Sequence, residues 1–208
     1  MEAKPDAEGR MTAPSAERNQ RPILDALLPR LPRSGHVLEI ASGTGQHVAA
    51  MAAYRPDLIF HPSEPDAARR ASIDARCRGL SNVLEAVELD ACRTGWATPG
   101  AVDAVLVINL LHLISDGEMS VLLDEAHRAL SPGGTMAIYG PFLREGRAIS
   151  AADRAFDAHL RAQDEAVGLK DVAVLETVLR VLGLAVEVVE MPAGNLMIFG
   201  RTAAVPGL

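Results

Sequence analysis

Four apolar runs in this chain stop at residues able to bind or transform a ligand. The first, 37–40, carries Glu39 and turns through Ala41, Ser42, Gly43 and Gly45 into an alanine-rich stretch. Glycines at such a turn let the backbone bend sharply and approach a ligand, and the following helix presents unpaired N–H groups at its start. The second run, 58–60, delivers Glu64 and Asp66. Glu64 stands about 20 residues beyond the glycines, where a carboxylate of dinucleotide-binding folds accepts from both ribose hydroxyls. Asp66 opens the helical stretch 67–78 and suits a cap. The third run, 82–89, ends at Asp90, which is either a ligand in the crevice outside a strand end or the cap of its own loop. The fourth, 101–108, ends at Asn109, with His112 shortly after. His112 can take a proton from a hydroxyl or amine, or be a satisfied structural group. Tyr139 either orients a substrate or packs, and His47 reads as structural.

These residues need a scaffold, and the sequence supplies alternating strand and helix patterns. The run 101–108 is β-branched and almost continuously apolar, as a central parallel strand buried on both faces must be. Helical spacing of Met119, Leu122, Leu123, Ala126 and Leu130 gives a helix over 116–130, stopped by Ser131-Pro132-Gly133-Gly134 before a strand from Thr135. A charged stretch, 142–171, interrupts the alternation as an inserted helix with loops over the site. A helix over 171–182 follows, then strands 184–190 and 196–201 joined as a hairpin through Gly194-Asn195. Before the first strand, residues 1–14 have the composition of a disordered tail, and 15–23 lead into an amphipathic helical segment, 24–28, ahead of Pro29. The folded chain, 15–208, reads as one domain.

Composition narrows the function. With 208 residues and 49% hydrophobic content, one sizeable core is expected. A net charge of −7 argues against a broad electrostatic grip on nucleic acid or anionic lipid. The two cysteines, Cys77 and Cys92, have no metal-type spacing and read as reduced thiols, so no metal is expected. No basic-then-apolar leader opens the chain and no bilayer-length apolar run occurs, so a soluble, cytoplasmic protein is expected. Nothing here specifies an oligomeric state.

The segment Glu39-x-Ala41-x-Gly43-x-Gly45 resembles the first motif of class I S-adenosylmethionine (SAM) methyltransferases, (Glu/Asp)-x-Gly-x-Gly-x-Gly, with Ala41 in place of one glycine. The nicotinamide fingerprint fits less well, because Val48 stands where close helix–strand packing wants a small residue. The class I resemblance implies a Rossmann-like fold: a seven-stranded, mostly parallel sheet with a C-terminal antiparallel hairpin and helices on both faces. It implies SAM as cofactor, with Glu39, Ala41, Ser42, Gly43 and Gly45 around its methionine part, Glu64 on the ribose and Asp90 on the adenine. Asn109 would floor the methyl-transfer centre. Since the loop backbone packs on the ligand, an alanine at 41 calls for a negative φ.

A closer resemblance runs from Ser15 to Arg201. Glu17-Arg18-Asn19 with Pro22-Ile23, the stretch 38–47, Pro62-Ser63 with Pro65-Asp66, Ile108-Asn109 with His112, Tyr139-Gly140-Pro141-Phe142, Phe156-Asp157 with Leu160-Arg161, Gly168-Leu169-Lys170-Asp171 and Glu190-Met191-Pro192-Ala193 are similar to the methyltransferase-like family of domain of unknown function 938. Ala41 is then a family trait. Asp116 and Val167 depart from the family pattern, where Trp commonly stands, which implies a different acceptor from that of typical members. The expected activity is methyl transfer to a small-molecule acceptor enclosed by Arg18 and Asn19 on one side and by Phe156 to Asp171 of the lid-like insertion 142–171 on the other, with His112 and Tyr139 as the candidate catalytic pair. Arg18 and Asn19 touch either cofactor or acceptor. The alternative is a non-catalytic protein that holds SAM or S-adenosylhomocysteine (SAH).

Overall fold

The structure, a computed structural model, describes residues 4–204; the first three residues of the expected tail, and 205–208, lie outside the described residues. Its sheet has strand order β2-β1-β3-β4-β8-β7, where β1 is Gly35–Ile40, β2 Leu58–Pro62, β3 Val102–Ile108, β4 Leu130–Gly140, β7 Ala185–Glu190 and β8 Leu196–Arg201. The first four run parallel, and β8 lies antiparallel between β4 and β7. This is the mixed α/β sheet with a C-terminal antiparallel hairpin that the sequence led us to expect, with six strands rather than seven.

The missing strand is 82–89, and its register explains the loss. Two isolated parallel bridges, Phe60 to Val83 and Ser63 to Val87, tie it beside β2. Three steps on β2 therefore face four on this segment, so the extra residue bulges out and no continuous ladder forms. Pro62, in the middle, has no N–H to give, although its carbonyl accepts from Val87 N–H at 3.1 Å.

Helices cover both faces. α1 (Pro14–Leu27), α2 (Gln46–Tyr54) and α3 (Ala67–Cys77) pack Ile23, Leu27, Met51 and Ile73 against Val37, Ala104 and Leu106. α4 (Asp116–Ala129) and α6 (Val172–Val181) pack Leu122, Leu123, Leu175 and Leu179 against Val105, Val107 and Ile138 on the other. Alternation within β3 serves both layers, which is why its run is unbroken. α4 starts on a capping box between Ser115 and Glu118.

α1 is longer than the apolar spacing at 24–28 indicates. It starts at Pro14, where a missing N–H costs nothing, and passes through Pro22, with Ala16, Ile23, Leu24 and Leu27 buried along one face. Between β4 and α6, the insertion forms a small stem of its own: β5 (Phe142–Leu143) pairs in parallel with β6 (Lys170–Asp171), and α5 (Ala151–Gln163) lies between them. No helix among the described residues is long and apolar enough to cross a membrane.

Candidate functional site

From β1 the chain passes to β2 on one side of the sheet and later returns to β3 on the other, so the C-terminal ends of β1 and β3 form the switch point at whose crevice open α/β sheets hold their ligands. Most residues singled out by the sequence meet at its rim. Glu39 and Ser42 are buried at the end of β1, where Ser42 N–H donates to Ser63 O at 2.8 Å and Ser63 N–H to Glu39 O at 2.9 Å. These bonds stitch the loop after β1 to the loop after β2. Glu64, 2% exposed, completes the seam: Gly43 N–H donates to its Oε2 at 3.0 Å and Asp66 N–H to its Oε1 at 3.2 Å. A carboxylate accepts about four hydrogen bonds, so two positions are left for a ligand's hydroxyls.

The loop conformation corrects one expectation. Ala41 has φ +52°, not a negative value, and Gly43 and Gly45 follow at +59° and +79°. A left-handed alanine costs roughly 1–2 kcal/mol, and three left-handed residues out of five curl the backbone into a tight cradle. At Gly45 a Cβ would meet Ile73 Cα at 2.8 Å, because α3 presses on the loop there; at Gly43 the nearest atom is Ala41 O at 3.9 Å. The loop is also gripped from above. Ser72 Oγ and Arg76 Nε, one helical turn apart on α3, both donate to Thr44 O, while Gln20 Nε2 donates to Gln46 O at 2.8 Å. Residues just before α1 join this grip: Met11 N–H donates to Ser72 Oγ, Ala13 N–H to Gln46 Oε1, and Arg76 to Met11 O. The sequence reading did not single out Ser72, Arg76 or Gln46. The i, i+4 spacing of Ser72 and Arg76 on one helix face was the available signal.

Across the crevice, Asn109 ends β3 with φ +55° and its N–H donates to Tyr139 O at 2.8 Å. A Cβ placed on Gly140 would lie 4.0 Å from both Asn109 Oδ1 and His112 Nδ1, so these two polar side chains converge over a residue with none. His112 is 8% exposed. Burial, with Lys170 nearby, pulls its pKa down to about 4, and the Phe156 ring of α5 meets it edge-on at 5.4 Å between centroids. Tyr139 is buried, which raises its pKa, while Asn19 of α1 and Asn195 of the β7–β8 loop oppose that from beside its hydroxyl. Arg18 is exposed. Asp90 is exposed too, accepting from Cys92 N–H at 3.0 Å and pairing with Arg93 at 3.0 Å, so it shapes its own turn. His47, buried on α2, is held near a pKa of about 4 by desolvation.

Three buried polar atoms in this region have no partner among the described residues: Glu39 Oε2, Asn19 Oδ1 and His47 Nδ1. An unmatched buried acceptor costs about 1–3 kcal/mol, more for a charged group. Burial, with Glu64 adding and the Ser42 hydroxyl opposing, pushes the Glu39 carboxyl up to about 8. A ligand bringing N–H donors and positive charge fits the two oxygens. SAM has such a group in its α-ammonium, and its ribose hydroxyls fit the fixed Glu64 carboxylate.

The fold is the one seen in solved methyltransferase structures. Solved structures with this fold include an O-methyltransferase family protein from Burkholderia thailandensis, at TM-score 0.78 and 22% identity, covering 91% of this chain and 58% of that one. CalO1, a methyltransferase in calicheamicin biosynthesis in its SAH-bound form, matches at 0.73 and 19%, covering 91% and 54%. Human N-acetylserotonin methyltransferase in complex with SAM matches at 0.73 and 17%, covering 91% and 53%. This chain thus spans little more than half the length of those proteins. Residues 10–201 match the family described as "Protein of unknown function (DUF938)", and the chain belongs to that family.

Proposed function

We propose that this protein is a SAM-dependent methyltransferase acting on a small-molecule acceptor. The observation that carries the reading is the pair of unmatched buried acceptors, Glu39 Oε2 and Asn19 Oδ1, beside a left-handed glycine loop already fixed to the Glu64 carboxylate. In this reading Glu39 and Asn19 take the cofactor's ammonium, the 41–45 backbone lies along its methionine part, and Glu64 takes the ribose hydroxyls. Asp90 reaches the adenine only if its turn opens.

SAM, when bound, supplies an electrophilic methyl group on a sulfonium. The chain's own residues align the acceptor and exclude water around that transfer. Asn109 and His112 hold the acceptor heteroatom at the end of β3. Burial keeps His112 neutral at pH 7, so an imidazole nitrogen can accept a hydrogen bond from the acceptor's hydroxyl or amine and orient it, while the same burial makes it a weak base. Tyr139 orients the acceptor from the end of β4, and Phe156 on the insertion closes over His112 as part of a lid. N-acetylserotonin methyltransferase, which shares the fold, acts on a small molecule, and the acidic surface here offers no basic track for nucleic acid. The free thiols Cys77 and Cys92 suit a reducing compartment, and we place the protein in the cytoplasm.

Calorimetry with SAM and SAH tests the cofactor reading; binding of neither refutes it. A screen of small-molecule extracts with methyl-labelled SAM tests turnover. Tight cofactor binding with no labelled product would leave the non-catalytic SAM/SAH-binding reading as the better one.

A further inference from the structure

We infer that occupation of this site by the ammonium end of the cofactor takes a proton off Glu39, so that cofactor affinity follows pH; this rests on the cofactor reading above. Glu39 shares with Val37 the face of β1 turned toward α1, α2 and α3, is 2% exposed, and has one carboxyl oxygen, Oε2, without a donor. Its strand neighbours, Pro62 on β2 and Leu106 on β3, are uncharged.

The titratable groups that act on Glu39 are Glu64 at the end of β2 and the Cys77 thiol of α3, neither of them a cation. α2 adds only neutral, buried His47 and exposed Tyr54. The charges of α1 (Glu17, Arg18, Arg21 and Asp25) are exposed, as are Asp66 and Asp74 at and along α3 and Arg69, whose guanidinium stands 4.0 Å from Glu64 Oε1 and pairs with that carboxylate. The half-buried arginines of α3 are engaged elsewhere, Arg70 with Glu64 O and Glu88, Arg76 with Thr44 O and Met11 O. Among the described residues a carboxylate here has no counter-charge of its own, and Glu39 stays protonated up to a pH of about 8.

An arriving ammonium reverses that balance. An α-amino group is charged below a pH of about 7.7 and carries three N–H donors, so against Oε2 it supplies both a donor and a counter-charge. The carboxyl O–H bond breaks, its electron pair stays on oxygen, and the proton leaves to solvent while the ammonium keeps all of its own. One proton is released for each cofactor bound. Because the competent form is the carboxylate, affinity rises about tenfold per pH unit between roughly 6 and 7. Asn19 Oδ1 accepts a second N–H with no change of charge.

Titration calorimetry of SAH into the full chain at about pH 6.5, in phosphate and again in imidazole, reads the proton count, since the two buffers differ in ionisation enthalpy. Close to one proton released is the expected result. The probe 5′-methylthioadenosine, which lacks the ammonium, and the variant Glu39→Gln with SAH should each release none. SAH binding without release, or equal release with 5′-methylthioadenosine, overturns the inference and leaves the cofactor reading standing; no binding of any ligand at any pH overturns both. A second arm needs no variant. Carbon-13 NMR of glutamate carboxyls should show one group titrating near pH 8 in the free protein and well below that with SAH bound. If every carboxyl of the free protein titrates in the ordinary range, the inference is wrong.

Discussion

Glu64 Oε2 accepts the Gly43 N–H at 3.0 Å, so the acid that ends β2 holds the loop that ends β1. Two features read separately from the sequence, a glycine turn and an acid about 20 residues beyond it, form one hydrogen-bonded unit.

Replacing Glu64 with Ala should therefore act twice. Cofactor affinity should fall by roughly 1.5–3 kcal/mol, since the carboxylate is a charged acceptor, and Gly43 N–H should lose protection in hydrogen exchange. Calorimetry with SAH, alongside exchange on the free protein, checks both. Unchanged affinity would remove Glu64 from the cofactor site.

Three loop positions should respond differently to a single methyl group. Gly45→Ala should destabilise by about 2 kcal/mol or more, because its Cβ would strike the Ile73 backbone as well as strain a left-handed φ. Gly43→Ala, with open space around it, should cost only about 1 kcal/mol. Ala41→Gly should stabilise by up to about 1 kcal/mol, the relief of strain at φ +52° exceeding the added freedom of the unfolded chain. Urea midpoints give the order, and a stabilised Gly43→Ala would contradict it.

Acid should weaken the fold through its buried histidines. His47 and His112 titrate near 4 when folded against an ordinary value of 6.5, so the unfolded chain binds their protons first. Their contribution is complete above 6.5 and is lost as pH falls toward 4, by up to about 1.4 kcal/mol per unit for each group. Urea unfolding between these limits should show the decline, and His47→Asn should flatten it. For the same reason a rate profile should carry no His112 step near 6.5.

Phe156→Ala should separate a lid residue from a structural one. Phe156 is 38% exposed, so its removal should cost less than about 1 kcal/mol in stability. Its edge-on contact with His112 should make acceptor KM rise several-fold while SAH affinity holds. A large loss of stability with unchanged KM would assign it to packing.

Sequence periodicity made the sheet legible wherever one residue faced one partner. The unbroken run of β3 and the Gly194-Asn195 turn led directly to the central strand and the terminal hairpin. Periodicity failed at 82–89, since a bulge beside Pro62 leaves the composition of a strand without its ladder. It also missed the positive φ of Ala41, which nothing about an alanine announces, and the first turns of α1, whose single buried residue, Ala16, is too small to mark a face. The rim of the site was legible because acids and amides follow apolar runs there. The grip of Ser72, Arg76 and Gln46 on the loop was not, since each is an ordinary polar residue on a helix until α3 is packed against Gly45.

The pairing of Phe142 with Lys170 and of Leu143 with Asp171 makes the insertion an interchangeable cartridge. Both of its ends leave the sheet side by side, so what hangs between them can lengthen, shorten or be replaced without moving β4 or α6. Doubling the length of such a closed loop costs only about 0.6 kcal/mol. If the protein is the methyltransferase proposed above, acceptor choice can then diverge over a fixed cofactor floor, and a segment exchanged between family members at Phe142 and Asp171 should carry its preference with it.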